Sequence, residues 1–289
     1  MSDAWSRWLL GGREGGDREV RARLLDWLGG VRDGVLDRAA IKPGDTVLDV
    51  GCGDGLIAFG ALERVGPEGH VVFVDVSRPL LFRAREAAGA LGVLDRCSFL
   101  ERSATDLAGV ADQSVDAVTT RSVLIYVDDK VRALAEFSRV LRSPGRISIW
   151  EPINRLDTPE PRGRWFWYDV SPVQDLADRL VQGMSASQGR REAMMGFDDR
   201  DLYALAEAAG FLPLHLELRR DIEVNQAPQS WESFIASSPN PLVPSVGEAI
   251  ERIFTRKEAD RFVACLRPQV EEGRRVRRMS AAHLWGVRA

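Results

Sequence analysis

Apolar positions recur along this chain with two distinct periods, and the first half alternates between them. Val20, Leu24, Trp27, Leu28, Val31 and Val35 fall on one stripe at helical spacing, so residues 19–39 read as an amphipathic helix. Lys42-Pro43-Gly44-Asp45 breaks the chain before Thr46–Val50, five short residues whose apolar, β-branched character suits a strand covered on both faces. A helix is predicted over 56–65, then a strand over 71–75, a helix over 79–91 and a strand over 97–101. A strand over 115–119, a helix over 129–141 and a strand over 146–151 complete the run. Strand alternating with helix implies parallel pairing through right-handed crossovers, hence a Rossmann-like doubly wound α/β fold with helices on both faces.

Beyond Pro152 the alternation lapses. Residues 153–198 carry the aromatic run Trp165-Phe166-Trp167-Tyr168 and a helix that Ser171-Pro172 is expected to open, with Gln174 completing a capping box. A helix over 199–209 and a strand over 214–224 resume the core. Residues 227–275 read as a second, helical and proline-bearing insertion, and 281–287 as a last strand returning to the sheet. The simplest organisation is one domain with a mostly parallel seven-stranded sheet. It divides into an N-terminal helical segment (1–40), a cofactor-binding core (41–152), a cap insertion (153–198), further core (199–225), a second helical insertion (226–278) and the last strand (279–289).

Composition narrows the function class. A chain of 289 residues with 45% hydrophobic and 28% charged residues can bury a sizeable core. No apolar run is long enough to span a membrane, and the N-terminus shows no secretory signal pattern, so a cytoplasmic protein is expected. The net charge of −4 does not favour capture of a phosphate backbone. The cluster Arg274, Arg275, Arg277 and Arg278 reads as a solvated approach to the last strand. Three cysteines and three histidines lie scattered, without metal-ligand spacing, so metal-free chemistry is expected.

The informative stretch is Asp49-Val50-Gly51-Cys52-Gly53-Asp54-Gly55, where the first strand meets the first helix of the alternating run. Glycines at alternate positions permit a sharp turn and close approach of a ligand, and the following helix start offers free N–H groups to an anion. A dinucleotide fingerprint would place its third glycine where Leu56 stands. With Asp49 two residues before Gly51 and Asp75 ending the next strand, the segment resembles motif I and its acidic companion in class I S-adenosylmethionine-dependent methyltransferases. The turn Arg139–Arg146 before the fifth strand resembles that family too, so the likeness covers about residues 45–151.

The resemblance implies S-adenosyl-L-methionine as cofactor and S-adenosyl-L-homocysteine as its product. It assigns Asp49, Gly51, Cys52, Gly53 and Gly55 to the methionine portion, and Asp75 with Val76 to the ribose and adenine. Ser103 and Ala104 fall beside the adenine, and Arg121 and Ser122 beside the methionine portion. Ser103 departs from the aspartate common at its position. The implied chemistry is in-line methyl displacement, in which the protein aligns the acceptor and excludes water. Tyr126, Glu151 and Tyr168 are the candidate catalytic residues, and Trp165, Trp167 and Asp169 the candidate substrate contacts. Arg13 with Trp5 or Trp8 would fold over the cofactor. Thr119-Thr120-Arg121-Ser122 does not match the Asn/Asp-Pro-Pro-aromatic sequence of nucleic-acid amino methyltransferases. The expected acceptor is therefore a small, aromatic or indole-like natural product methylated on carbon, nitrogen or oxygen. A protein methyltransferase and a non-catalytic cofactor-binding regulator stay open, as does self-association into a homo-oligomer.

Overall fold

The computed structural model describes residues 3–186, 191–225 and 227–289; residues 187–190 of the first insertion and Gln226 of the second lie outside the described residues. A short helix α1 (Ala4–Arg7) and one wide π-helical turn (Trp8–Gly12) precede α2 (Arg18–Arg38). The alternating half follows as β1 (Thr46–Val50), α3 (Leu56–Val65), β2 (His70–Asp75), α4 (Arg78–Ala90), β3 (Cys97–Glu101), β4 (Val115–Arg121), α5 (Lys130–Val140) and β5 (Leu141–Pro152). A two-residue hairpin, β6 (Arg164–Trp165) with β7 (Tyr168–Asp169), leads into α6 (Gln174–Ala186), α7 (Arg191–Met195) and α8 (Asp199–Ala208). Then come β8 (Phe211–Asn225), α9 (Trp231–Ala236), α10 (Val246–Ile253), α11 (Arg256–Glu271) and β9 (Arg275–Arg288).

Seven strands form one sheet in the order β3-β2-β1-β4-β5-β9-β8. β1 to β5 pair in parallel, whereas β9 runs antiparallel to both β5 and β8. The order reverses between β1 and β4, where diverging loops open a crevice at the carboxyl ends of the strands. One sheet face packs on α2, α3 and α4 through Val35, Leu36, Ala58, Ala61 and Ala84. The other packs on α5 and α8 through Leu134, Phe137, Leu202 and Ala206. Both faces are covered, which is why β1 and β2 are nearly continuous apolar runs.

Several expectations are corrected in detail. β5 begins at Leu141, because that residue already pairs with Val115 before a register shift to Ala117 opposite Arg146. β8 and β9 form a longer ribbon than the apolar pattern suggested, and it absorbs Arg275, Arg277 and Arg278. Those side chains are not a loose solvated approach: Arg277 lies 5.1 Å from the Trp27 ring centre and Arg275 5.9 Å from that of Tyr168. The expected Ser171 capping box is absent too. The Ser171 amide donates to Asp169 Oδ1, and the Gln174 side chain instead accepts from the Gly163 amide.

The two insertions pack on each other. Trp165, Tyr168, Leu180, Phe234, Ile250 and Phe262 form a hydrophobic core of their own, beside the sheet.

Candidate active site

The crevice at the β1–β4 reversal is a cavity of about 860 Å³. Its floor is the β1–α3 loop, whose conformation explains the glycines: Gly51, Gly53 and Gly55 have φ of 68°, 57° and 102°. A Cβ on Gly51 would lie 2.1 Å from Val123 Cγ2, and one on Gly55 2.4 Å from Phe59 Cε2. The loop is pinned by Gly51 and Cys52 amides donating to the Val74 carbonyl at 2.7 and 3.0 Å.

Asp49 is buried on that floor. Thr119 Oγ1 donates to its Oδ1 at 2.9 Å, while Oδ2 has no partner among the described residues. Burial pushes its carboxyl up to about 7, with the Thr119 hydrogen bond opposing. Asp75, at the end of β2, accepts from the Gly53 amide through Oδ2 and the Ser77 amide through Oδ1, both at 2.8 Å. Each carboxylate oxygen keeps capacity for a second donor. Val76 beside it is 52% exposed and presents an apolar face to the cavity. Ser103 and Ala104 line the same end; the Ser103 hydroxyl accepts from the Thr105 amide at 3.2 Å.

At the other end β4 delivers Arg121, its last residue, and Ser122 follows it in the loop. Ser122 holds φ 55° while its amide donates to the Trp150 carbonyl at 2.9 Å, a strained backbone of the kind found at ligand sites. Tyr126 lines this end and meets Trp5 edge-on, ring centres 4.8 Å apart. The residues assigned to the cofactor by resemblance, Asp49, Gly51, Cys52, Gly53, Gly55, Asp75, Val76, Ser103, Ala104, Arg121 and Ser122, thus converge on one cavity.

Of the acceptor-side candidates Tyr126 lines that cavity, and Glu151, Trp165, Trp167, Tyr168 and Asp169 do not. Glu151 is fully buried beneath the loop after β4, where its carboxylate accepts from the amides of Val123, Leu124 and Ile125 at 2.8, 2.9 and 3.2 Å. Burial raises its carboxyl to about 7 against those three donors. Its place is under the cavity wall, not on it. Trp165 and Tyr168 belong to the core of the inserted lobe, and Asp169 caps the turn at Ser171. Trp167, held at φ 68°, lies with Arg278 6.0 Å from its ring centre. None of the four lines the cavity: the insertions bury the Trp165 and Tyr168 rings against each other, Trp167 is half-buried and Asp169 is exposed.

The N-terminal segment closes the cavity instead. Trp5, Trp8, Leu9 and Arg13 line it, and the segment is tied to the second insertion. Trp8 Nε1 donates to the Ser238 carbonyl at 2.9 Å, the Ser238 amide to the Gly12 carbonyl at 2.8 Å, and Ser233 Oγ to the Glu14 carbonyl at 2.9 Å. Leu25, Met194 and Pro239 also line the cavity and were missed from sequence. Leu25 alone left a signal, as a leucine beside rather than on the stripe of α2. No group of three His, Cys, Asp or Glu side chains among the described residues is arranged to hold a metal. No helix among them is long and apolar enough to cross a membrane.

The residues present suit an aminoacyl sulfonium nucleoside. The unpartnered Asp49 Oδ2 answers an ammonium, the glycine floor admits a close backbone approach, and Asp75 with Val76 suits a ribose and a flat base.

Comparison with known proteins agrees. Residues 41–187 match the family model described as a methyltransferase domain. An arsenite methyltransferase of Halobacterium salinarum is 32% identical over 173 residues, 60% of this chain and 39% of that protein. A 2-phytyl-1,4-naphtoquinone methyltransferase of Trichormus variabilis is 36% identical over 171 residues, 56% of this chain and 72% of that protein. Phosphoethanolamine N-methyltransferase 2 of Haemonchus contortus, solved in complex with S-adenosyl-L-methionine, shares the fold. Its TM-score is 0.51 at 17% identity, over 90% of this chain and 52% of that one.

Proposed function

Because the chain belongs to the family of S-adenosylmethionine-dependent methyltransferases, we propose that it methylates a small organic acceptor, an aromatic or indole-like natural product, by in-line displacement. The observation that carries this reading is one cavity that joins the Asp49–Gly55 floor to a wall of Trp5, Trp8 and Tyr126. When bound, S-adenosyl-L-methionine supplies the activated methyl group. Asp49 and the loop amides hold and orient its amino acid portion, and Asp75 its ribose. The N-terminal segment, tied down at Ser233 and Ser238, excludes water.

Aromatic walls suit a flat acceptor, as does the quinone named for one relative. A soft arsenic(III) acceptor, named for another, calls for gathered thiols. Here Cys52 is the one cysteine among the described cavity-lining residues, and Cys265 lies on α11 of the inserted lobe. Glu151 acts as a positioning residue for the loop carrying Val123 and Tyr126.

The test is transfer of label from methyl-labelled cofactor, offered a small-molecule extract in one arm and a protein lysate in the other. Labelled small molecules support the proposal. Labelled protein bands would make the chain a protein methyltransferase, and cofactor binding without transfer a regulator.

A further inference from the structure

The cavity wall holds two guanidiniums with few partners. Arg121, the last residue of β4, makes a single hydrogen bond, Nη1 to Ser122 Oγ at 3.3 Å, and no ion pair among the described residues. Arg13 comes from the N-terminal segment. Its Nε donates to Glu14 Oε1 at 2.7 Å, and its guanidinium carbon lies 5.4 Å from the Trp8 ring centre. That leaves both terminal nitrogens of Arg13 without a hydrogen bond among the described residues. Both guanidiniums line the one cavity; burial, and next the charge of Arg13, hold that of Arg121 below its usual range, with the carboxylates of Glu151 and Asp49 opposing. Tyr126 lines the same cavity, edge-on to Trp5.

Glu14 takes only the Nε edge of Arg13, so a second anion at the terminal nitrogens would satisfy donors that this ion pair leaves open. The amino acid portion of the cofactor brings one ammonium and one carboxylate. Asp49 answers the ammonium, and Arg121, from the strand next to β1, answers the carboxylate. Arg13 is left over. It comes from the N-terminal segment, with its Nε on Glu14 and its guanidinium carbon over the Trp8 ring.

We propose that Arg13, with the rings of Trp5 and Tyr126, forms a subsite for an anionic group on the acceptor, a carboxylate or an ionised ring oxygen carried by a flat ring. The fork geometry of a guanidinium matches such oxygens in a bidentate manner, and the rings take the apolar plane. The inference rests on the methyltransferase reading and adds the charge of the substrate to it.

The test uses the full chain and three probes. S-Adenosylhomocysteine is titrated calorimetrically; benzoate, or its neutral isostere benzamide, is then titrated into the saturated protein. The wild type is expected to bind benzoate at least about tenfold more tightly than benzamide, a charge-assisted pair being worth that much. Arg13→Gln removes the preference while leaving S-adenosylhomocysteine affinity within about twofold, whereas Arg121→Gln weakens S-adenosylhomocysteine about tenfold or more. Arg13→Lys, which keeps the charge without the fork, retains part of the preference and serves if the glutamine variant does not fold. Equal binding of the two probes, no benzoate binding to the saturated protein, or an Arg13 variant that loses S-adenosylhomocysteine as Arg121→Gln does would overturn the proposal. A wild type that binds no S-adenosylhomocysteine would instead fell the methyltransferase reading.

Discussion

Thr119 and Asp49 face each other across adjacent parallel strands, and the hydroxyl of one donates to a single oxygen of the other at 2.9 Å. Burial raises the carboxyl to about 7 against that hydrogen bond and the charge of Arg121, and the second oxygen has no hydrogen-bond partner among the described residues. A folded-state value above the ordinary carboxylate range means that the folded protein binds this proton more tightly than the unfolded chain. Asp49 therefore subtracts stability progressively as pH rises from about 4 to about 7.

A cofactor ammonium needs the charged carboxylate, so S-adenosylmethionine affinity should rise with pH up to about 7 and then level. Calorimetry in buffers of different ionisation enthalpy should show proton release on binding below that pH. Asp49→Asn should bind weakly and without that pH dependence.

Glu151 is expected to support the loop rather than act as a base. Glu151→Gln puts a donor where the Val123, Leu124 and Ile125 amides need acceptors. A loss of about 1–3 kcal/mol in stability, measured by denaturant unfolding, follows from leaving buried donors unpaired. The shape of the pH–rate profile should be unchanged. Loss of its alkaline-favoring limb would restore Glu151 as a proton acceptor.

Gly51→Ala should weaken cofactor binding and lower the melting temperature, since its Cβ would meet Val123 Cγ2 at 2.1 Å. Adding Val123→Ala relieves the clash but not the positive φ, so a residual cost of about 1–2 kcal/mol is expected in the double variant. Complete rescue would show that only space, not backbone conformation, requires glycine there.

The strand–helix alternation and the glycine loop were legible because both faces of β1 and β2 are covered and because positive φ restricts residue choice at Gly51, Gly53 and Gly55. The acceptor side was legible only in part, in Tyr126 and the N-terminal Trp5, Trp8 and Arg13. Trp165 and Tyr168 look the same in sequence whether they line a cavity or a core, and the long-range packing of α9, α10 and α11 decided for the core. Glu151 at a strand end reads equally well as a base or as a cap; only the position of three amides separates the two. Trp8 owes its place to an acceptor 230 residues away, at Ser238, which no local pattern encodes.

Trp165→Ala should consequently cost stability, about 3–5 kcal/mol as for other buried tryptophans, without changing cofactor affinity. Chemical unfolding alongside a binding titration separates the two effects. An unchanged stability with a raised acceptor Michaelis constant would return the ring to the cavity wall.

The central claim is that the Asp49–Gly55 loop holds an aminoacyl sulfonium nucleoside. Calorimetric titration of the full chain with S-adenosylhomocysteine tests it most directly. One equivalent should bind to the wild type and essentially none to Asp49→Ala. Failure of the wild type to bind, or preferential binding of a nicotinamide dinucleotide in its place, would contradict the account.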